Sequence, residues 1–152
     1  LRNLTAFGQV GQVTVNSVVS DVTISLTGIG STSAVGSVSA TPFTSYAVTV
    51  VSTGSGNKYF IDGVQQATLN LSEGSTYRLD QSAGTNNNHP LRFSTTSDGT
   101  HSGGTEYTTG VTVNGVAGNP GAYTEIEVAT GAPTLYYYCT NHSGMGGQAN
   151  TP

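Results

Sequence analysis

Tyr136-Tyr137-Tyr138-Cys139-Thr140-Asn141-His142-Ser143-Gly144-Met145 carries both the only cysteine and the only methionine of a 152-residue chain, with a histidine between them. The aromatic run before Cys139 reads as a β-strand, and the Gly-containing run after it reads as a loop. A strand that ends at Cys139 aims the thiol inward, while the loop turns back and presents His142 and Met145. About fifty positions upstream, Asn88-His89-Pro90 precedes the apolar-polar alternation of Leu91-Arg92-Phe93, a second strand able to run beside the first. One thiolate, two imidazoles and one thioether suit a single soft metal ion, and His2Cys with a weak Met is a copper ligand set.

Working outward from this loop, period-2 alternation dominates and helical spacing is almost absent. Gln12 to Asn16, Val22 to Leu26, Tyr46 to Val50 and Tyr123 to Val128 are rich in β-branched residues at alternate positions. Shorter strands are expected at Ala67 to Leu71, Thr76 to Asp80, Leu91 to Ser94, Val111 to Val113 and Thr134 to Tyr138. Ile61-Asp62-Gly63-Val64 sets Asp-Gly between apolar flanks, the signature of a type I′ hairpin. Many short, closely spaced strands predict an all-β fold, a two-sheet sandwich with Greek-key connections.

Texture changes near Thr41-Pro42. A sparse Val/Ser/Thr/Gly pattern with few aromatics lies before it, and Tyr and Phe rise after it. This predicts a β-rich docking or assembly segment over residues 1–44 and a sandwich over residues 45–152. The first segment offers about three strands, marginal for independent folding, so strand addition to the sandwich or to another subunit is expected.

Charged side chains make up 8% of the chain, against about 25% in ordinary soluble domains. A neutral Ser/Thr/Asn/Gly surface suits a chain packed against copies of itself or against other subunits. The four cations, Arg2, Lys58, Arg78 and Arg92, are scattered and form no track for a phosphate backbone, which argues against nucleic acid. No apolar run reaches the roughly 20 residues of a membrane span, and no segment has a signal-peptide profile. With Met145 the only methionine, the translated product is expected to begin upstream of Leu1. A lone cysteine excludes an internal disulfide.

The elements Asn88 to Phe93 and Tyr138 to Met145 resemble the cupredoxin family, which pairs an upstream His with a Cys, His and Met on the loop before its last strand. The Cys-x-x-His-x-x-Met spacing resembles the short amicyanin-type ligand loop of that family. The likeness extends over roughly residues 45 to 150, including Leu69 to Tyr77 as the strand-turn-strand entry to the His region. It implies a mononuclear type 1 copper centre with His89, Cys139 and His142 as equatorial ligands and Met145 axial. Two features depart from the family pattern. Pro90 follows His89 where many electron-transfer members place a hydrogen-bonding residue, and few residues follow Met145 for a closing strand.

Other chemistries fit parts of the same set. Zinc, a less favoured occupant than copper, would use His89, Cys139 and His142, with His101 as an optional fourth ligand. His101 sits in the exposed turn Ser97 to Gly104. Cys139, His142 and Met145 also suit plain packing at a strand end. A Cys139–His142 nucleophile has no carboxylate close in sequence to orient its base, and Glu125 and Glu127 read as the wet side of an amphipathic strand, so no enzyme is expected.

A second resemblance concerns the first forty residues, where Val22 to Val38 is similar to Thr/Gly/Val/Ser repeats in virion proteins of tailed bacteriophages. It implies a structural or surface-display subunit, with a homo-oligomer or other virion subunits as partners and a virion surface as location. The alternative is a soluble type 1 copper electron-transfer protein in an extracytoplasmic or periplasmic setting.

Overall fold

The computed structural model describes residues 42–151. The strands expected at Gln12 to Asn16 and Val22 to Leu26, and nearly all of the docking segment, lie outside the described residues. The described residues form eleven strands in two sheets, most of them from the alternating segments. One sheet has six strands in the order β3 (Val64–Gln65), β2 (Gly56–Ile61), β1 (Phe43–Thr53), β5 (Thr76–Asp80), β9 (Tyr123–Glu127), β8 (Val111–Asn114), and the other has five in the order β4 (Leu69–Asn70), β11 (Gly147–Asn150), β10 (Leu135–Cys139), β6 (Leu91–Ser94), β7 (Glu106–Tyr107). The fold is an all-β sandwich.

In the first sheet, β1 (Phe43–Thr53) and β2 (Gly56–Ile61) form a hairpin, and β2 turns back into the two-residue β3 (Val64–Gln65). Asp62 and Gly63 take φ of 48° and 82°, the two positive values that a type I′ turn demands. Strand β5 (Thr76–Asp80) lies parallel to β1, then β9 (Tyr123–Glu127) and β8 (Val111–Asn114) continue the sheet antiparallel. The second sheet is built from β4 (Leu69–Asn70), β6 (Leu91–Ser94), β7 (Glu106–Tyr107), β10 (Leu135–Cys139) and β11 (Gly147–Asn150). Both sheets are mixed, because β1 with β5 and β4 with β11 run parallel. The segment Leu69 to Tyr77 therefore crosses from one sheet to the other. Gly74, with φ of 72°, and the bond from Ser72 N–H to the Tyr77 hydroxyl shape that crossing.

Side chains facing inward make one core, as the pleat requires. Val48, Tyr59, Ile61, Tyr77, Leu79 and Ile126 come from the six-stranded sheet, and Leu91, Phe93, Leu135, Tyr137, Cys139 and Ala149 from the other. Buried tyrosines need a partner for the hydroxyl. Tyr59 donates to the His89 carbonyl at 2.8 Å and Tyr137 to the Ala67 carbonyl at 2.7 Å.

The closing strand missing from the sequence reading is β11, supplied by residues directly after the Cys-His-Met loop and paired antiparallel with β10. Its Gly-Gln-Ala-Asn composition has almost no β propensity, so only its place beside β10 makes it a strand. Glu125 and Glu127 face outward. Glu125 pairs with Arg78 at 2.7 Å, and the Arg78 guanidinium lies between the rings of Phe43 and Tyr123, 4.0 and 3.8 Å from their centroids. Among the described residues, no helix is long and apolar enough to cross a membrane.

Candidate metal centre

The site forms where β6 and β10 meet at one end of the five-stranded sheet. Their antiparallel register sets Cys139 opposite Leu91, and Thr140 N–H donates to the Pro90 carbonyl at 3.1 Å. Pairing thus carries the last residue of β10 to the chain that has just left His89. Cys139 lies on the inward side of the pleat with Leu135 and Tyr137 and is fully buried.

His89 reaches the same point from a tightly fastened segment. Its N–H donates to the Asn86 carbonyl at 2.8 Å, and its carbonyl accepts from both the Tyr59 hydroxyl and the Gln81 side-chain amide, each at 2.8 Å. Gln81 is itself buried and accepts from Leu91 N–H at 3.0 Å, while Thr124 donates to the Leu91 carbonyl at 2.9 Å. Asn88 takes φ of 63°, which turns the chain into His89. With these main-chain polar groups occupied, the imidazole has a fixed mount.

Three ligating atoms converge. His89 Nδ1 lies 3.8 Å from Cys139 Sγ, and His142 Nδ1 lies 3.7 Å from the same sulfur. The imidazole rings are 4.6 Å apart between centroids, tilted by 47°. One nitrogen from each histidine and the cysteine sulfur all lie within 4.8 Å of one another, with His89 and Cys139 buried and His142 exposed. Burial, and then the neighbouring His142, holds His89 below the ordinary imidazole pKa, so it favours the neutral form that can ligate a metal.

Met145 is buried in the core cluster that also holds Cys139, and its carbonyl accepts from Tyr59 N–H at 3.0 Å. His101 stands apart from the convergent set. It is exposed, as the turn reading expected, yet its Nε2 lies 2.9 Å from the Cys139 carbonyl, a main-chain contact rather than a ligand position.

Several residues that the sequence reading did not single out hold the ligand loop. Asn141 donates to both the main-chain and the side-chain oxygen of Asn88, at 3.0 and 2.9 Å, and so ties the loop to the His89 segment. Lys58 donates to the Gly144 carbonyl and Gln66 to the Gly146 carbonyl, each at 2.5 Å. Asp98 accepts from Gly144 N–H at 2.8 Å. Asn88 and Asn141 flank the candidate ligands in sequence and were findable on that ground. Lys58, Gln66 and Asp98 are about forty or more positions from the loop and carry no local signal.

The donor chemistry fits a soft or borderline metal: one thiolate and two imidazoles at convergent positions, with a thioether on the same loop. No carboxylate belongs to the convergent set, so it does not suit a hard cation such as calcium. No protein-family model matches the chain, and no curated protein matches it.

Proposed function

We propose that the sandwich is a mononuclear copper-binding module of cupredoxin type and not an enzyme. The observation that carries this reading is the approach of His89, Cys139 and His142 to within 4.8 Å of one another, assembled from two segments about fifty residues apart. These three side chains would hold the ion, with Met145 as a weaker fourth donor from the same loop. Copper held by a thiolate and two imidazoles supplies one-electron redox chemistry and an intense thiolate charge-transfer absorption in the Cu(II) state.

The protein's own contribution is position and exclusion of water. Buried Cys139 and His89 sit on segments fastened by main-chain hydrogen bonds, and His142 marks the side open to solvent. Zinc is accommodated by the same three residues, but for a given N/S site the divalent order favours copper. Titration of the purified protein with Cu(II) tests the assignment. A strong visible band that disappears in Cys139→Ser is expected; no band in the wild type would overturn it.

We further propose that this module is displayed on a larger assembly, with a virion surface as its setting and other copies or virion subunits as neighbours. Besides the 8% charged composition, the support is that two edge strands of the six-stranded sheet carry exposed valines. Val64 on β3 is 58% exposed and Val113 on β8 is 42% exposed. Among the described residues no further strand lies beside these two edges, and edges with apolar side chains favour strand addition. A soluble electron-transfer protein would instead stay monomeric, so light scattering of the full chain separates the two. A concentration-independent monomer would overturn the assembly reading while leaving the copper reading intact.

A further inference from the structure

The connection between β6 and β7, residues 95–105, forms a 3-10 turn at Gly99–Ser102 that packs on the outer face of β10. It makes three distinct attachments there. Asp98 accepts from Gly144 N–H at 2.8 Å, near the far end of the ligand loop. His101 Nε2 meets the Cys139 carbonyl at 2.9 Å, at the start of that loop. Between them Gly99, with φ of 55°, lies so close over the Tyr138 ring that a Cβ there would stand 2.6 Å from it. The His101 ring meets the same Tyr138 ring edge-on, at 6.4 Å and 84°.

We propose that this connection is a clamp that sets the ligand loop in its metal-binding conformation before any ion arrives, with Asp98 and His101 as positioning residues. The inference rests on the copper-site reading. Gly144 follows Cys139 closely in the chain, and both ends of that short span are bonded to one turn and its leading Asp98. His142, the exposed ligand, lies inside the span. Fixing the two ends narrows the backbone conformations open to His142, and with them the positions from which its imidazole reaches the sulfur. The Gly144 carbonyl is simultaneously held by Lys58, so that residue is gripped from both sides. A loop ordered in advance does not spend metal-binding free energy on its own ordering, and outer partners of metal ligands typically change affinity about 10- to 100-fold.

The local backbone dictates informative variants. Asp98 takes φ of 59°, so Asp98→Gly removes the acceptor without adding strain, and Asp98→Asn restores an oxygen acceptor. His101→Leu removes the donor, and His101→Gln returns one. In the metal-free protein, amide hydrogen exchange at Gly144 is expected to accelerate about tenfold or more in Asp98→Gly and to recover in Asp98→Asn. In the copper-loaded protein, Asp98→Gly and His101→Leu are expected to weaken affinity about 10- to 100-fold and to shift the thiolate band, with Asp98→Asn and His101→Gln moving both back. Unchanged exchange at Gly144 would overturn the clamp. Accelerated exchange with unchanged copper affinity and spectrum would overturn its role in positioning ligands. Absence of a copper band in the wild type would sink the copper reading itself, a separate outcome, and the exchange measurement would then decide the clamp alone.

Discussion

The Tyr59 hydroxyl, on β2 of one sheet, donates to the main-chain carbonyl of His89, which enters β6 of the other, at 2.8 Å. A candidate ligand is thereby fastened across the core, and its carbonyl shares a second donor, Gln81. The two donors differ in what their loss would leave behind.

Tyr59→Phe removes one bond while His89 keeps the Gln81 partner, so a loss of about 1 kcal/mol is expected. Gln81→Leu also strips the acceptor from buried Leu91 N–H, and a stranded buried donor adds about 1–3 kcal/mol. Urea unfolding monitored by near-UV circular dichroism checks the order; equal losses would refute the argument.

Gly146 sits where the chain leaves the ligand loop for β11, and a Cβ there would overlap the Tyr137 carbonyl. Since that obstacle is backbone, Gly146→Ala is expected to force β11 away from β10 and to cost about 3 kcal/mol or more. Thermal unfolding measures the loss. A variant within about 1 kcal/mol of wild type would mean that the strands separate easily at this point.

Alkaline pH should destabilise the fold. Burial raises the phenols of Tyr59 and Tyr137 above the ordinary value of 10.0. Their stabilising contribution is fully present below about pH 10 and is lost as pH rises further, because the unfolded chain deprotonates first. Each such phenol is worth up to about 1.4 kcal/mol per pH unit in that range. Tyr77 opposes the trend, since the Ser72 N–H it accepts holds it below the ordinary value. Unfolding free energies between about pH 9 and 11 should therefore fall, and less steeply in Tyr137→Phe.

Metal linkage gives a further expectation. Copper at about 100 times its dissociation constant should stabilise the folded chain by about 2.7 kcal/mol. Anaerobic thermal melts with and without copper read this directly. The increment should vanish in Cys139→Ser and shrink in His142→Ala, whose exposed side chain can be removed with little effect on the metal-free fold.

Much of the strand pattern was legible because each strand with one buried face writes its own period into the sequence. Thr76–Asp80 and Leu91–Ser94 emerge with the bounds their alternation implies, and the Asp62-Gly63 turn takes the two positive φ values that its residues prefer. Strands without such a period were not legible. Gly147–Asn150 and Glu106–Tyr107 are strands only because β10 and β6 offer them a partner. Tyr138 likewise points out of the sandwich, yet it is buried because the Gly99–Ser102 turn covers it.

The sequence by itself determined the all-β class and the local order Cys139, His142, Met145, since alternation and ligand spacing are properties of neighbouring residues. It also nominated His89, on chemistry alone. Tertiary structure decided that His89 and Cys139 meet, through a β6–β10 register closing a loop of about fifty residues. It also decided what holds the ligand loop, because Lys58, Gln66, Asp98 and His101 acquire their partners from chain pairing at long range. Such contacts are selected by the energy of the whole packed sandwich, and no short window of residues encodes them.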